Sequence, residues 1–269
     1  MSRVLVLGTG MQGKAAIYDL ARCPTIDEII AADRDPAAYE DFLKKLSSTK
    51  VRGVELDVTD TKATLELMRS VDLVVDLLPG SFTLPIAKLA VEAGRSLVNA
   101  MYLLNPEETN PARRKKAMEE IRWLDREAKQ KKVTVLPEMG MDPGIDLVLC
   151  GQAVRELDEV RELYSYGAGF PEPAAANNPL RYKITWSFDG VLRSYRRPAR
   201  ILQSGKVVDI KATEVFAPEH THTVDIEGLG TFEAFANGDA LKYAKLLGIE
   251  LSLLHISEPT RLGMISYAV

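Results

Sequence analysis

Apolar and polar positions along this chain follow two different rhythms, and the change between them divides it. Over the first 150 or so residues, short apolar runs alternate with stretches of helical periodicity. The runs are Val4–Leu7, Glu28–Asp33, Val51–Asp57, Val71–Leu78, Ser96–Ala100 and Val133–Leu136. Val71–Leu78 is apolar enough to be buried on both faces, as a central parallel strand is. Between the runs, Ala15–Ala21, Pro36–Leu46, Thr61–Ser70, Leu84–Ala93 and about 111–131 read as helices, and another helix is expected to begin near Pro143. From about Val160 the pattern becomes strand-rich, with Leu163–Gly167, Tyr182–Phe188 and Gly205–Asp209. Between the first two of these, 171–179 is too rich in Pro and Asn for regular structure and reads as a linker or a lid.

The first run leads into Gly8-Thr9-Gly10-Met11-Gln12-Gly13, and the second ends in Asp33. Gly8 permits the tight turn, Gly10 lets the backbone approach a pyrophosphate, and Gly13 lets the next helix pack closely on the sheet. Asp33 stands about 20 residues beyond the last glycine, where an acid accepts hydrogen bonds from a ribose. The unit predicts an α/β fold, a Rossmann-type doubly wound parallel sheet that binds a dinucleotide. An incomplete α+β substrate domain follows. The expected divisions are 1–150 for the cofactor domain, 151–250 for the substrate domain and 251–269 for a tail. The charge of Asp33 favours NAD over NADP, while neighbouring Arg34 could serve a 2′-phosphate. Asp57 and Val58 are expected beside the adenine, and Leu78-Pro79 where the sheet presents its strand ends to the cofactor.

Composition narrows the partners. Net charge is −4 with a pI near 5.6, and 46% of residues are hydrophobic. No basic stripe is present, so a nucleic-acid surface is not expected. Arg113-Arg114-Lys115-Lys116 reads as a solvated helix face. Cys23 and Cys150 lack the spacing of a metal site or a disulfide framework. No apolar run approaches the ~18 residues of a membrane span, and no signal-peptide layout opens the chain. These features predict a soluble cytoplasmic protein without a metal.

Several segments together resemble the saccharopine dehydrogenase family, in particular its glutamate-forming saccharopine reductase branch and the related lysine 6-dehydrogenases. The most specific is Glu138-Met139-Gly140-Met141-Asp142-Pro143-Gly144-Ile145-Asp146, which matches the family's E-x-G-x-D-P-G-I-D. Leu77-Leu78-Pro79, Asn99-Ala100-Met101-Tyr102, Ile184–Ser187 with Gly190–Leu192, and Asn237-Gly238-Asp239 with Tyr243 and Gly248 support it. The resemblance implies oxidation of the C–N bond of a lysine-derived amine by hydride transfer to NAD or NADP, followed by hydrolysis of the imine. Saccharopine would give glutamate and aminoadipate semialdehyde; lysine would give ammonia and the same aldehyde. Many saccharopine reductases carry N-R-D where this chain has Asn237-Gly238-Asp239, so a carboxylate-gripping guanidinium is absent there. Arg181, Lys183, Arg193, Arg196, Arg197 and Arg200 remain as clamps, of which one or two at most are expected to face substrate. A homodimer is a possibility that the resemblance raises for the full-length protein.

Such chemistry needs a proton acceptor for the ammonium and a dry pocket beside the nicotinamide. Tyr102 and Asp142, each following a strand of the sheet, are the catalytic candidates. Asp142 could equally cap the helix expected at Pro143, and Tyr102 could be a packed aromatic. Asn99, Glu138 and Trp186 are candidates for contacting substrate, with Trp186 also reading as a core anchor and Glu138 as a loop brace. His220 and His222 alternate along an expected strand, with no third ligand recognisable for a metal. A sensor that binds the cofactor without turnover is the reading from a different class.

Residues 251–269, LSLLHISEPTRLGMISYAV, resemble a translated sequencing adapter and are expected to be a non-native tail. The family's usual C-terminal portion would then be missing.

Overall fold

The computed structural model describes residues 2–35, 37–105, 108, 110–179, 183, 188–249 and 255–261. The chain divides into two compact units, Met1–Gly144 and Ile145–Val269. The first carries β1 (Arg3–Leu7), α1 (Met11–Arg22), β2 (Glu28–Asp33), α2 (Ala37–Leu46), β3 (Val51–Glu55), α3 (Thr61–Arg69) and β4 (Leu73–Asp76). It continues through α4 (Thr83–Ala93), β5 (Ser96–Asn99), α5 (Pro111–Lys131) and β6 (Val135–Leu136). The strands form one six-stranded sheet in the order β3-β2-β1-β4-β5-β6. Every pairing in it is parallel.

Side chains alternate across a strand, so β1 feeds both faces of the sheet. Leu5 and Leu7 pack with Ile30, Met68, Val74, Ile86 and Leu97 on one face. Val4 and Val6 pack with Ile17, Ile26 and Ile29 on the other. This two-sided burial is why the strands read as continuous apolar runs rather than alternating ones. Helix α5 begins at Pro111 behind an Asn110 cap whose side chain accepts from the Ala112 and Arg113 amides. It turns Leu124 and Ala128 onto Ala87 and Val91 of α4, leaving Arg113–Lys116 exposed.

The strand order places β2 and β4 on either side of β1. Connections leaving the C-terminal ends of β1 and β4 therefore run to opposite faces, which opens a crevice at that edge of the sheet.

The second unit begins with α6 (Ile145–Glu156) and β7 (Glu162–Gly167). It continues with α7 (Phe188–Ser194), β8 (Ala199–Gln203), β9 (Lys206–Ile210), β10 (Thr221–Ile226), β11 (Gly230–Phe235), α8 (Leu241–Leu246) and β12 (His255–Arg261). A four-stranded mixed sheet, β7-β12-β8-β9, and the β10-β11 hairpin make up its strands. Val154 of α6 packs with Leu202, Ala240 and Ala244, so α6 belongs with this unit. Strand β12 lies within the segment expected to be a tail and pairs with both β7 and β8.

Several local expectations change. Helix α6 starts at Ile145, two residues past Pro143, because Gly144 takes φ 149°, outside the helical region. A short 3₁₀ turn at Pro173–Ala175 interrupts the 171–179 segment. Of the expected strand Tyr182–Phe188, Phe188 opens α7, Lys183 lies outside any element, and the remaining positions fall outside the described residues. Among the described residues no helix is long and apolar enough to cross a membrane.

Leu7 is fully buried at the centre of the larger cluster. Leu7→Ala is expected to destabilise the first unit by about 2–5 kcal/mol in urea unfolding. Met118→Ala, on the outer face of α5 with 39% of its surface exposed, should stay within about 0.5 kcal/mol.

Candidate functional site

The glycine loop is held by backbone approach and by one carboxylate. The Gly8 amide donates to the Ala32 carbonyl at 2.9 Å, tying the end of β1 to β2. Thr9 is fully buried, and both its amide and its hydroxyl donate to Oδ2 of Asp33, at 2.7 and 2.8 Å. Helix α1 starts immediately after Gly10, which offers no side-chain cap, so the first-turn amides are left for another acceptor. A Cβ on Gly13 would lie 2.0 Å from the Gly8 carbonyl oxygen, whereas one on Gly10 would meet nothing within 4 Å. Close packing below and open space above suit the loop to a pyrophosphate, with Met11 and Gln12 exposed at its rim.

Asp33 is engaged more fully than its sequence position suggests. Besides the Thr9 bonds, its Oδ1 accepts from the Asp35 amide at 3.2 Å. Partial burial alone would raise its pKa, but the bonds from Thr9, Asp35 and Arg34 outweigh that and hold it below the usual carboxylate range. Arg34 is exposed beside it. Asp57 accepts from the Thr59 amide and hydroxyl at 2.9 and 2.7 Å. Those bonds, with the Arg34 charge nearby, lower its pKa. Val58 is half-buried next to it.

Across the crevice the loops after β4, β5 and β6 are joined. The Leu77 amide donates to the Leu7 carbonyl at 2.9 Å, and the Leu78 amide donates to Oδ1 of Asp76 at 3.1 Å. Leu78 is half-buried and Pro79 exposed. Asn99 is buried: its Nδ2 donates to Asp76 at 3.5 Å and its Oδ1 accepts from the Met101 amide at 3.1 Å. The Met139 amide donates to the Asn99 carbonyl at 2.9 Å, and the Glu138 amide to the Met101 carbonyl at 3.2 Å. Glu138 sits at φ 63°, the left-handed region that non-glycine residues seldom adopt. A Cβ on Gly144 would lie 2.1 Å from the Gly140 carbonyl, which explains the second glycine of the motif. Tyr102 and Asp142, both half-buried, sit on these tied loops.

The sequence reading passed over Asp76, the last residue of β4 and only 2% exposed. Its signal was an acid in the C-terminal half of the apolar run Leu73–Leu78. Burial pushes its carboxyl up to about 6, against the opposing effect of the Leu78 and Asn99 hydrogen bonds.

In the second unit the candidates disperse. Trp186 and Arg181 lie outside the described residues. Arg200 donates to Asp209 at 2.6 Å, bracing the β8-β9 hairpin, and Lys183 donates to Asn177 at 3.0 Å. His220 ends a 3₁₀ turn before β10, so it does not alternate with His222 along one strand as expected. His222 instead meets the Tyr166 hydroxyl at 2.8 Å. Among the described residues no cluster of His, Cys, Asp and Glu could hold a metal ion.

A carboxyl whose folded pKa is raised binds its proton more tightly in the native state. Asp76 therefore contributes stability that is complete below about pH 4 and is lost as pH rises through about 6. The stability difference between the natural protein and Asp76→Asn is expected to change by about 2 kcal/mol between pH 4 and pH 7, measured by urea unfolding at each pH. No change over that window would contradict the assignment.

Comparison with known proteins matches both units to one family. The model "Saccharopine dehydrogenase NADP binding domain" matches residues 4–136, and "Saccharopine dehydrogenase C-terminal domain" matches 140–267. The alpha-aminoadipic semialdehyde synthase of Arabidopsis thaliana is 30% identical over 270 positions, covering 93% of this chain and 24% of that protein. The saccharopine dehydrogenase [NADP(+), L-glutamate-forming] of Saccharomyces cerevisiae is 31% identical, covering 80% of this chain and 45% of its own length. The solved structure of the apo, L-Glu-forming saccharopine dehydrogenase from Saccharomyces cerevisiae superposes with a TM-score of 0.79 at 27% identity, over 98% of this chain and 56% of that one. The chain thus spans about a quarter of the plant relative and about half of the yeast one. With both family models matched in order along its two units, this chain belongs to the saccharopine dehydrogenase family.

Proposed function

We propose that the enzyme carrying this chain oxidises saccharopine to glutamate and aminoadipate semialdehyde, with NADP as hydride acceptor. The observation that carries the reading is the convergence, at one edge of one sheet, of an open glycine loop with the tied loops bearing Tyr102 and Asp142. The matched relatives named as glutamate-forming and NADP-dependent support it.

NADP is preferred to NAD on the geometry of Asp33. A carboxylate offers about four acceptor sites, and this one already accepts from Thr9 twice and from Asp35. Its capacity is largely committed to the loop and not to a ribose. Arg34, exposed at the strand end, then supplies the charge that a 2′-phosphate requires. The pyrophosphate falls to the amides at the start of α1, the adenine to Asp57 and Val58, and the nicotinamide to Leu78 and Pro79.

The cofactor supplies the hydride acceptor; the chain supplies position and protons. Asp142 accepts the proton of the substrate's secondary ammonium, freeing the nitrogen lone pair. The adjacent C–H bond then breaks as hydride departs, and the carbon-nitrogen bond becomes an iminium. Tyr102 orients the water that adds to that carbon. Cleavage of the C–N bond leaves the aldehyde and the ammonium of glutamate, so each turnover releases one proton and one hydride. Glu138 and Asn99 hold the loops on which this happens.

The test follows absorbance of the reduced cofactor with the full-length enzyme, supplied with NAD or NADP and with saccharopine or lysine. Turnover of saccharopine with NADP is expected. Turnover of lysine alone would make the enzyme a lysine 6-dehydrogenase, and cofactor binding without turnover of either would favour a sensor. Asp142→Asn and Tyr102→Phe should each lower kcat by about 100-fold or more, with cofactor binding little changed.

A further inference from the structure

We propose that Asp76 and Asn99 form a positioning pair that fixes the cofactor-side loop after β4 against the loops bearing Tyr102 and Asp142. The proposal rests on the dehydrogenase reading above; because both side chains are buried, it gives Asn99, a candidate for substrate contact from the sequence, the role of holding the loops instead.

The pair is built by register. Asp76 ends β4 and Asn99 ends β5, and the two stand directly opposite in the sheet. Both are buried, at 2% and 1% exposure. Burying an acid and an amide at a strand end is costly unless each polar atom finds a partner. Asp76 has the Leu78 amide and Asn99 Nδ2. The Met101 amide facing Oδ1 sets the orientation of the Asn99 carboxamide, which turns its NH2 toward Asp76.

At these two residues backbone groups from three loops meet, two of them on the side chains and the third on the Asn99 carbonyl. Leu78 follows Leu77, whose amide is bonded to the end of β1 just before the glycine loop. Met101 directly precedes Tyr102. The Asn99 carbonyl holds Met139, and within the same loop the Gly140 amide donates to the Pro143 carbonyl at 2.9 Å, next to Asp142. A small displacement of a reacting group can cost about 100-fold in rate, so a tie at this point acts on turnover before it acts on cofactor affinity.

The donor and acceptor pattern is symmetric to exchange. In the double variant Asp76→Asn/Asn99→Asp, the Leu78 and Met101 amides still meet oxygens and one N–H still bridges the side chains. Asp76→Asn alone opposes two NH2 groups, or else turns one away from its backbone donor. Asn99→Asp alone opposes two carboxyls, one of which must hold a proton.

Both single variants and the exchange variant are made in the full-length enzyme, and kcat is measured beside the NADPH dissociation constant from its fluorescence. Each single variant is expected to lose about 10-fold or more in kcat while the dissociation constant moves little, and the exchange variant to recover most of the loss. Single variants with undiminished kcat, an equal loss of cofactor affinity, or an exchange variant no better than the worse single would each overturn the proposal. Should a single variant fail to fold, the exchange variant decides: near-natural kcat supports the pair and loss of kcat refutes it. If the natural enzyme does not turn over saccharopine, the substrate reading fails separately. Hydrogen exchange at the Leu78, Met101 and Met139 amides then tests the pair, which requires faster exchange in the single variants and restored protection in the exchange variant; unchanged rates would overturn it.

Discussion

The glycines of the loop bring no side chains to anchor it, and here the Asp33 carboxylate supplies the anchor by taking both the amide and the hydroxyl of Thr9. Hydrogen bonds to a charged acceptor contribute roughly 1.5–3 kcal/mol each, enough to hold a turn whose neighbours are glycines. With Thr9 buried and fixed, Gly10 is left in open space and α1 can start at once. The close approach of Gly13 to Gly8 then sets the angle at which α1 leaves the sheet. The same bonds have a consequence for recognition, because an acid occupied with its own loop has little capacity left for a ribose.

A second aspartate, Asp76, flanks β1 on its other side and behaves in the opposite sense. Asp33 is held ionised by several hydrogen bonds, while Asp76 is driven toward its protonated form by burial. The stability that Asp33 supplies is lost as pH falls, and that of Asp76 as pH rises. Two strand-end acids of the same sheet thus serve different ends: one shapes the phosphate loop, and the other ties together the loops where chemistry is proposed.

Much of the first unit was legible because its signals are local. Strands buried on both faces leave unbroken apolar runs, and Gly8 and Gly13 mark where backbone must turn or approach closely. The family was legible in the Glu138–Asp146 loop, whose Gly140 and Gly144 are pressed together. The start of α6 was not, because Pro143 reads equally as a first helical turn and as a bend ahead of it. Asp76 escaped notice because its partner Asn99 is 23 residues away and meets it only through parallel register. In the second unit, β8 and β11 are short and each places two apolar residues side by side, Ile201-Leu202 and Ala234-Phe235, which breaks the alternation, so their strand character comes from pairing more than from pattern.

The account turns on what Asp33 does when cofactor is present, and a crystal structure of the enzyme with NADP bound tests it most directly. It predicts the pyrophosphate over Gly10 at the start of α1, the 2′-phosphate on Arg34, and Asp33 still accepting both hydrogen bonds from Thr9. Asp33 swung away from Thr9 to grip the ribose, with Arg34 turned to solvent, would contradict it.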